Sequence, residues 1–257
     1  MKDWQSYINF PIIKENFNRQ SNCGLLVVTI AFNNLKTIDL QNKFLKKYLS
    51  DDYVYLIVDN SNNSSVSSRI RSYCRDNNIS YLRPFFRLYR NASKSHGSAL
   101  NFIYRSFVKK STFSYFGFID HDLYPVKNTS VVKYLTKQPV YGALQERAEK
   151  WYLWAGFCFF VKDYLDDKLI DFSPPQADVL DTGGMNYYSL YVGLDKSSLM
   201  FPNHKYLKIC EGGSVQESNV EFADDWLHTF NASGWLNFTN TTEREKAVSK
   251  ILDDLLK

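Results

Sequence analysis

Glycine is scarce in this 257-residue chain, and none of its 11 glycines falls into a Gly-x-Gly-x-x-Gly or Walker-type lysine loop. Those two loops are the common backbone cradles for a pyrophosphate. Their absence means that a phosphorylated ligand here needs another counter-charge. Cysteine is also sparse. Cys23, Cys74, Cys158 and Cys210 are widely separated, with no metal-type pair spacing, and no disulfide framework follows from them. Cys158 lies in an apolar run and reads as a buried thiol. No leader-like pattern opens the sequence and no apolar stretch has the length of a bilayer span, so the expectation is a cytoplasmic protein. Charge of one sign is lacking too. The 31 basic and 27 acidic residues leave a net charge of +4, and the basic residues are scattered, which gives nucleic-acid binding no support. Such a balance leaves room for a mild attraction to a phosphorylated substrate or an anionic surface. Aromatic residues are plentiful, at 16%. Side chains of this kind fill cores, and they also line sites for bases and sugars.

Apolar runs of strand length alternate with helical periodicity through the first half. Gly24–Ala31, Tyr53–Val58 and Ile79–Leu82 read as strands. The residues Leu40, Phe44 and Tyr48, four apart, predict a helix, and so does the segment 66–76. Leu100, Ile103, Tyr104, Phe107 and Val108 follow the spacing of a half-buried helix. This alternation implies an α/β fold with a mostly parallel central sheet flanked by helices, its strand C-termini along one edge. Val140–Leu144 and Ala155–Val161 read as further strands, Ser173-Pro174-Pro175 and Asp181-Thr182-Gly183-Gly184 as loops. No internal repeat or linker divides residues 1–240, which read as one domain. Residues 241–257 form a C-terminal amphipathic helix with Val248, Ile251, Leu252 and Leu255 on one face. Thr242 and Glu245 make a capping box for it. Its nearly balanced charges suit packing on the domain or a partner better than a membrane.

The most informative stretch is Phe116-Gly117-Phe118-Ile119-Asp120-His121-Asp122-Leu123-Tyr124-Pro125. An apolar run stops at two aspartates, and Pro125 prevents it from continuing as a central strand. In open α/β sheets ligands bind outside the carboxyl ends of the strands. Two carboxylates there suit a hard divalent cation that takes its remaining oxygens from a substrate phosphate. The alternative for these ten residues alone is a turn carrying two solvated acids. Asn33 and Asp59 close the two preceding strands and would converge on the same edge, where an acidic residue can accept from a base or a ribose hydroxyl.

Four segments together resemble the GT-A fold glycosyltransferases, in the style of the bacterial family 2 enzymes. Leu26–Asn33 is similar to the first strand and its nucleotide loop, and Leu56–Ser61 to the second strand with its base-contacting aspartate. Ser95-His96-Gly97-Ser98-Ala99-Leu100-Asn101 is similar to the start of the helix before the metal motif. Phe118–Pro125 is similar to the Asp-x-Asp motif itself. The resemblance covers roughly residues 24–235. It implies a metal-dependent transferase that moves a sugar from a nucleoside diphosphate sugar, a UDP-sugar as first choice, to a glycan or lipid-linked glycan acceptor in bacterial surface polysaccharide synthesis. It implies Mn²⁺ or Mg²⁺ held by Asp122 and Asp120, with donor contacts from Thr29, Ala31, Asn33, Asp59, His96, Gly97 and Asp120. Acceptors of such enzymes are often lipid-linked, so peripheral association with the inner face of the membrane is conceivable. His121 points to the other side of an extended segment and receives no role.

Asp225–Trp235 resembles the C-terminal region in which a histidine, here His228, completes the metal shell; the plain alternative is a core or surface histidine. Trp151–Phe157 is either the sugar side of a cleft or a buried strand. An inverting transferase needs a carboxylate base within reach of the acceptor hydroxyl. The family usually places it in an acidic pair after the metal motif, and this sequence departs from that pattern. Asp181, followed by glycines that permit close approach, is the first candidate and Asp178 the second; the pair Asp224-Asp225 lies late. Glu211-Gly212-Gly213 reads as a loop over the donor. Two other functions compete: a non-catalytic carbohydrate-binding protein, and a sugar nucleotidyltransferase, which would want a glycine-rich basic loop where Ala31-Phe32-Asn33-Asn34 stands.

Overall fold

The structure is a computed structural model that describes residues 13–15, 24–84, 91–175, 180–232, 234 and 238–257. In chain order the elements of the first half are β1 (Ile13–Glu15), β2 (Leu25–Ala31), α1 (Leu35–Tyr48), β3 (Tyr53–Asp59), α2 (Ser64–Asp76), β4 (Ser80–Arg83), α3 (Ala92–Ser106) and β5 (Tyr115–Asp120). There follow β6 (Leu123–Pro125), α4 (Val132–Leu135), β7 (Val140–Arg147), β8 (Lys150–Val161), β9 (His204–Lys208), α5 (Val215–Ser218), β10 (Asn219–Ala223), β11 (Trp226–His228) and α6 (Thr241–Leu256).

The main sheet has the order β1-β4-β3-β2-β5-β8-β7. The four inner strands β4, β3, β2 and β5 are parallel. β2, β3 and β5 are largely apolar because both faces are covered. In β2, Leu26, Val28 and Ile30 enter one core cluster while Leu25, Val27 and Ala31 enter the other. Asparagine starts each of the helices between these strands: Asn34 accepts from the Thr37 amide, Asn63 from Ser65 and Val66, and Asn91 from Lys94. A side-chain oxygen at that position satisfies amides that the first helical turn leaves unpaired.

The outer strands depart from the parallel expectation. β8 runs antiparallel to both β5 and β7. The reason is local: β7 and β8 are joined by Ala148 and Glu149, with φ of 48° and 60°. A two-residue reversal of that kind makes a hairpin, and a hairpin is antiparallel. Both strands also extend beyond the apolar runs that mark them in the sequence.

A second, antiparallel sheet, β6-β11-β10-β9, was not part of the sequence expectation. The main-sheet strand already ends at Asp120, before Pro125. Pro125 lies opposite Trp226 in β6, on the edge of the second sheet, where a missing N–H is tolerated. Trp226 and Ala223 pack into the same cluster as Ile57 and Phe157, so the two sheets share a core.

Helix α6 packs on the domain. Leu252, Val248, Ile251 and Leu255 meet Leu40, Phe44 and Tyr48 of α1 together with Tyr124 and Leu227. The helix begins two residues earlier than the capping box predicts. Asn240 is its cap, paired with Glu243, and Glu217 accepts the Asn240 amide at 3.0 Å, so Thr242 and Glu245 lie inside the first turns.

Gly117 in β5 lies against the Phe159 ring, and a Cβ there would fall 2.0 Å from it. Gly117→Ala is expected to cost about 1–3 kcal/mol of unfolding free energy through overpacking. Urea unfolding measures it, and wild-type stability in the variant would contradict this packing.

Candidate active site

A cleft of about 1130 Å³ opens at the C-terminal edge of the parallel strands. Ile30 and Phe32 line it after β2, Asn60 and Asn62 after β3, and Asp120, His121 and Asp122 after β5. Gln41, fully buried on α1, pins the turn that carries the aspartates. Its amide nitrogen donates to the carbonyls of Asp120 and Leu123, both at 2.7 Å, while its oxygen accepts from the Thr29 and Tyr55 hydroxyls at 2.8 and 2.6 Å.

Asp122 is 5% exposed. Its Oδ2 accepts the Ala232 amide at 3.0 Å, and its main-chain carbonyl accepts the Thr229 amide at 3.0 Å. Its Oδ1 lies 3.6 Å from His228 Nε2. The other ring nitrogen, Nδ1, lies 3.3 Å from Glu221 Oε2, and Glu221 Oε1 lies 2.7 Å from His204 Nδ1. Trp154 and Phe230 flank the His228 ring, with centroids at 4.5 and 4.2 Å. The result is an alternating row, Asp122, His228, Glu221, His204, along one wall.

This row sets the protonation states. Burial disfavours the His228 imidazolium, but the Asp122 carboxylate more than offsets it and raises the pKa to about 9. Burial raises Asp122, and the His228 charge outweighs that and holds it well below the usual carboxylate range. For Glu221, burial is likewise outweighed by the hydrogen bonds to His204 and His228, which lower it to about 2.

His228 Nε2 and Asp122 Oδ1 face each other, while Glu221 engages the opposite ring nitrogen; Asp122 and His228 are the pair that would hold a cation here. Among the described residues no group of three or more His, Cys, Asp or Glu gathers around one point.

Asp120, at the end of β5, is partly exposed, with Oδ1 3.6 Å from His96 Nε2. Gly156 lets it sit there: a Cβ on that residue would lie 2.6 Å from the Asp120 carboxyl carbon. On another wall stand Asp181 and Thr182. The Asp181 amide donates to the Tyr152 hydroxyl at 3.1 Å, and its Oδ1 accepts the Thr182 amide at 2.7 Å. Gly183 follows at φ 88°, a backbone conformation that glycine adopts without strain.

Other residues singled out in the sequence stand behind the cleft wall. Thr29 is buried on Gln41, and Ala31 is fully buried. Asp59 is 1% exposed, and its carboxylate is engaged by the Ser61 amide at 2.9 Å, the Tyr81 hydroxyl at 2.7 Å and the Ser67 hydroxyl. It organises the loop after β3 and turns inward, away from the cleft. Gly97 packs on the Phe172 carbonyl, which a Cβ would approach to 2.5 Å. Asn33 braces the rim, at φ 50°, accepting the Asn62 and Asn63 amides at 2.9 Å. Asp178 lies outside the described residues. Asp224 belongs to the β10–β11 turn, bonded to Asn203, and Glu211-Gly212-Gly213 wraps around Glu217.

The cleft also contains residues that the sequence reading passed over. His121 lines it at 7% exposure, and its Nδ1 has no hydrogen-bond partner among the described residues; the same holds for Gln145 Oε1. Glu221 was missed because β10 was not read as a strand, although the apolar Val220 and Phe222 on either side of it are the alternation of one.

No protein-family model matches the chain, and no curated protein is significantly similar to it in sequence. Solved structures do match. The mannosyltransferase PcManGT of Pyrobaculum calidifontis, in complex with GDP-Man and Mn²⁺, is 14% identical, with 63% of this chain and 51% of that one covered and a TM-score of 0.39. The glycosyltransferase GlyE of Streptococcus pneumoniae is 13% identical over 71% of this chain and 46% of its own, with a TM-score of 0.38. S. aureus TarS 1-349 in complex with UDP-GlcNAc is 14% identical over 58% and 48%, with a TM-score of 0.36. The chain spans about half the length of these three structures.

The charged row makes stability depend on pH. His228 is raised from 6.5 to about 9, so its contribution is complete below 6.5 and disappears as pH rises through about 9. Glu221 is lowered from 4.5 to about 2, so its contribution is complete above 4.5 and is lost as pH falls through about 2. Chelator-treated protein is expected to lose on the order of 1–3 kcal/mol from His228 across the alkaline step. Urea midpoints measured against pH test this. The alkaline fall should be absent in His228→Asn, and an equal fall in both proteins would rule out His228 as its source.

Proposed function

We propose that the chain is a metal-dependent glycosyltransferase that moves a sugar from a nucleoside diphosphate sugar to a glycan or lipid-linked glycan acceptor. The observation that carries this reading is the joining, in one cleft at the strand C-termini, of a carboxylate–histidine pair fit for a cation with a separate carboxylate, Asp181. Asp122 Oδ1 and His228 Nε2 would hold Mn²⁺ or Mg²⁺. When bound, the cation supplies charge neutralisation for a diphosphate leaving group. Glu221 keeps the proton on His228 Nδ1 and so leaves Nε2 as the ligating nitrogen. Asp120 faces the same space and serves the ribose, or the cation through water. Asn60 and Asn62 offer polar contacts at the β2–β3 end, beside the aromatic face of Phe32, and this end suits the nucleoside.

The sugar would lie against Trp154, whose flat apolar face suits a pyranose. Asp181 accepts the proton of the acceptor hydroxyl as the new C–O bond forms and the bond to the diphosphate breaks. A carboxylate base on the cleft wall favours the inverting course. The first-choice donor is a UDP-sugar. The open cleft mouth at Tyr206 and Gln216 leaves room for a glycan or lipid-linked acceptor, and a lipid-linked one would bring the protein to a membrane face.

Asp122→Ala is expected to lower both transfer and donor hydrolysis on the order of a hundredfold. Asp181→Asn should lower kcat by about 10²–10⁴-fold while leaving the donor KM largely unchanged. Product release from radiolabelled nucleotide sugars measures both. Wild-type turnover in Asp122→Ala would sink this mechanism, and glycan binding without any nucleotide dependence would favour a non-catalytic carbohydrate-binding protein.

A further inference from the structure

Arg244 lies in the first turn of α6 and is 4% exposed. Among the described residues no carboxylate is within ion-pair distance of it. Its guanidinium is held instead by main-chain carbonyls. Nη1 donates to Glu217 and Asn219, each at 3.0 Å, and Nη2 donates to Thr229. The Phe238 ring lies 5.2 Å from its Cζ. Burying a cation is costly unless its hydrogen bonds are well made. Three carbonyls matched to the planar fork repay much of that cost, in a way that a lysine cannot.

Thr229 is the second residue of a short strap, His228 to Ala232, that closes the cleft behind Asp122. Two of its residues, Phe230 and Asn231, have φ of 54° and 56°. Left-handed backbone is strained for a non-glycine residue and persists only where the surroundings over-determine it. Contacts from several elements do so here. The Thr229 and Ala232 amides reach the Asp122 carbonyl and carboxylate. The Asn34 side-chain amide donates to the Ala232 carbonyl at 2.8 Å. From behind, Arg244 grips the Thr229 carbonyl. Glu217 anchors the approach to the helix by accepting the Asn240 amide, so the grip is fixed at its own base.

We infer that α6 is a working part of the site: Arg244 is a positioning residue that clamps the strap His228–Ala232 in its left-handed turn, and so aims the Ala232 amide at Asp122 and the His228 ring into the cleft. The clamp touches neither cation nor substrate. Its link to cation binding rests on the proposed reading of the cleft, whereas its effect on the strap does not.

The test uses the full-length chain as Arg244→Met and Arg244→Lys, with two readouts. Hydrogen–deuterium exchange of a peptide covering residues 228–232 should quicken about tenfold or more in R244M, with β2 and β5 unchanged. Mn²⁺ uptake, read from the EPR signal of the free ion, should weaken by about 10–100-fold in R244M, as for other groups that orient metal ligands. R244K should fall between, because it keeps the charge and loses the fork. It carries the test alone if R244M does not fold. Wild-type exchange across the strap in the variant overturns the clamp. Faster exchange with undiminished Mn²⁺ affinity overturns its link to the site. A wild-type protein that takes up no Mn²⁺ overturns the reading of the cleft, and the exchange arm then decides the clamp by itself.

Discussion

The carboxylate of Asp122 is the constraint from which the rest of the cleft follows. It is all but removed from solvent, and a buried charge is tolerated only when it is paired and hydrogen-bonded. The Ala232 amide and the His228 imidazolium supply that compensation. The histidine is itself buried and draws on Glu221, which draws on His204. The strap that delivers the Ala232 amide is strained at Phe230 and Asn231 and depends on Arg244. One buried acid thus organises residues from β9, β10, β11 and α6. A buried ion pair is weak evidence for stability. Its value here is geometric, because it holds a carboxylate and an imidazole nitrogen at one point of an open cleft.

The second sheet exists to make that meeting possible. β6 continues from the aspartate turn and pairs with β11 in a register that sets Leu123 opposite His228. The residue before Leu123 is Asp122, so the pairing carries the histidine to the acid without any long excursion of either chain. β10 lies on the far side of β11 and sets Glu221 opposite His228. Glu221 also stands opposite Tyr206 of β9, two residues beyond His204. Gln41 performs the matching service from the main sheet by tying the aspartate turn to α1 and β2. α1 is therefore buried on two sides, with Ile38 and Leu45 toward the sheet and Leu40 and Phe44 toward α6.

Much of this was legible in the sequence, and the limits have physical causes. The parallel strands announce themselves because burial on both faces demands unbroken apolar runs, as in Leu25–Ala31. Their shared edge follows from handedness alone, so Asp120 and Asp122 could be placed at a cleft from pattern and topology. The short strands β9 to β11 could not, since they span only three to five residues, β9 exposed throughout and β11 buried throughout, and carry too little periodicity. With them went Glu221. Asp59 shows another limit. Its position at a strand end is readable, but whether its oxygens face solvent or are consumed by Ser61, Ser67 and Tyr81 depends on residues far along the chain. The hairpin at Ala148 and Glu149 was hidden because neither residue is a usual left-handed turn former.

The measurement that bears most directly on the central claim is a thermal-shift panel of UDP, GDP, CDP, dTDP and ADP, each with and without Mn²⁺. A ligand that binds only the native state raises the melting temperature by mass action. The account predicts stabilisation by one nucleoside diphosphate, dependent on the metal and abolished in Asp122→Ala. Stabilisation by free glycans alone, with no response to any nucleotide in the presence of Mn²⁺, would contradict it.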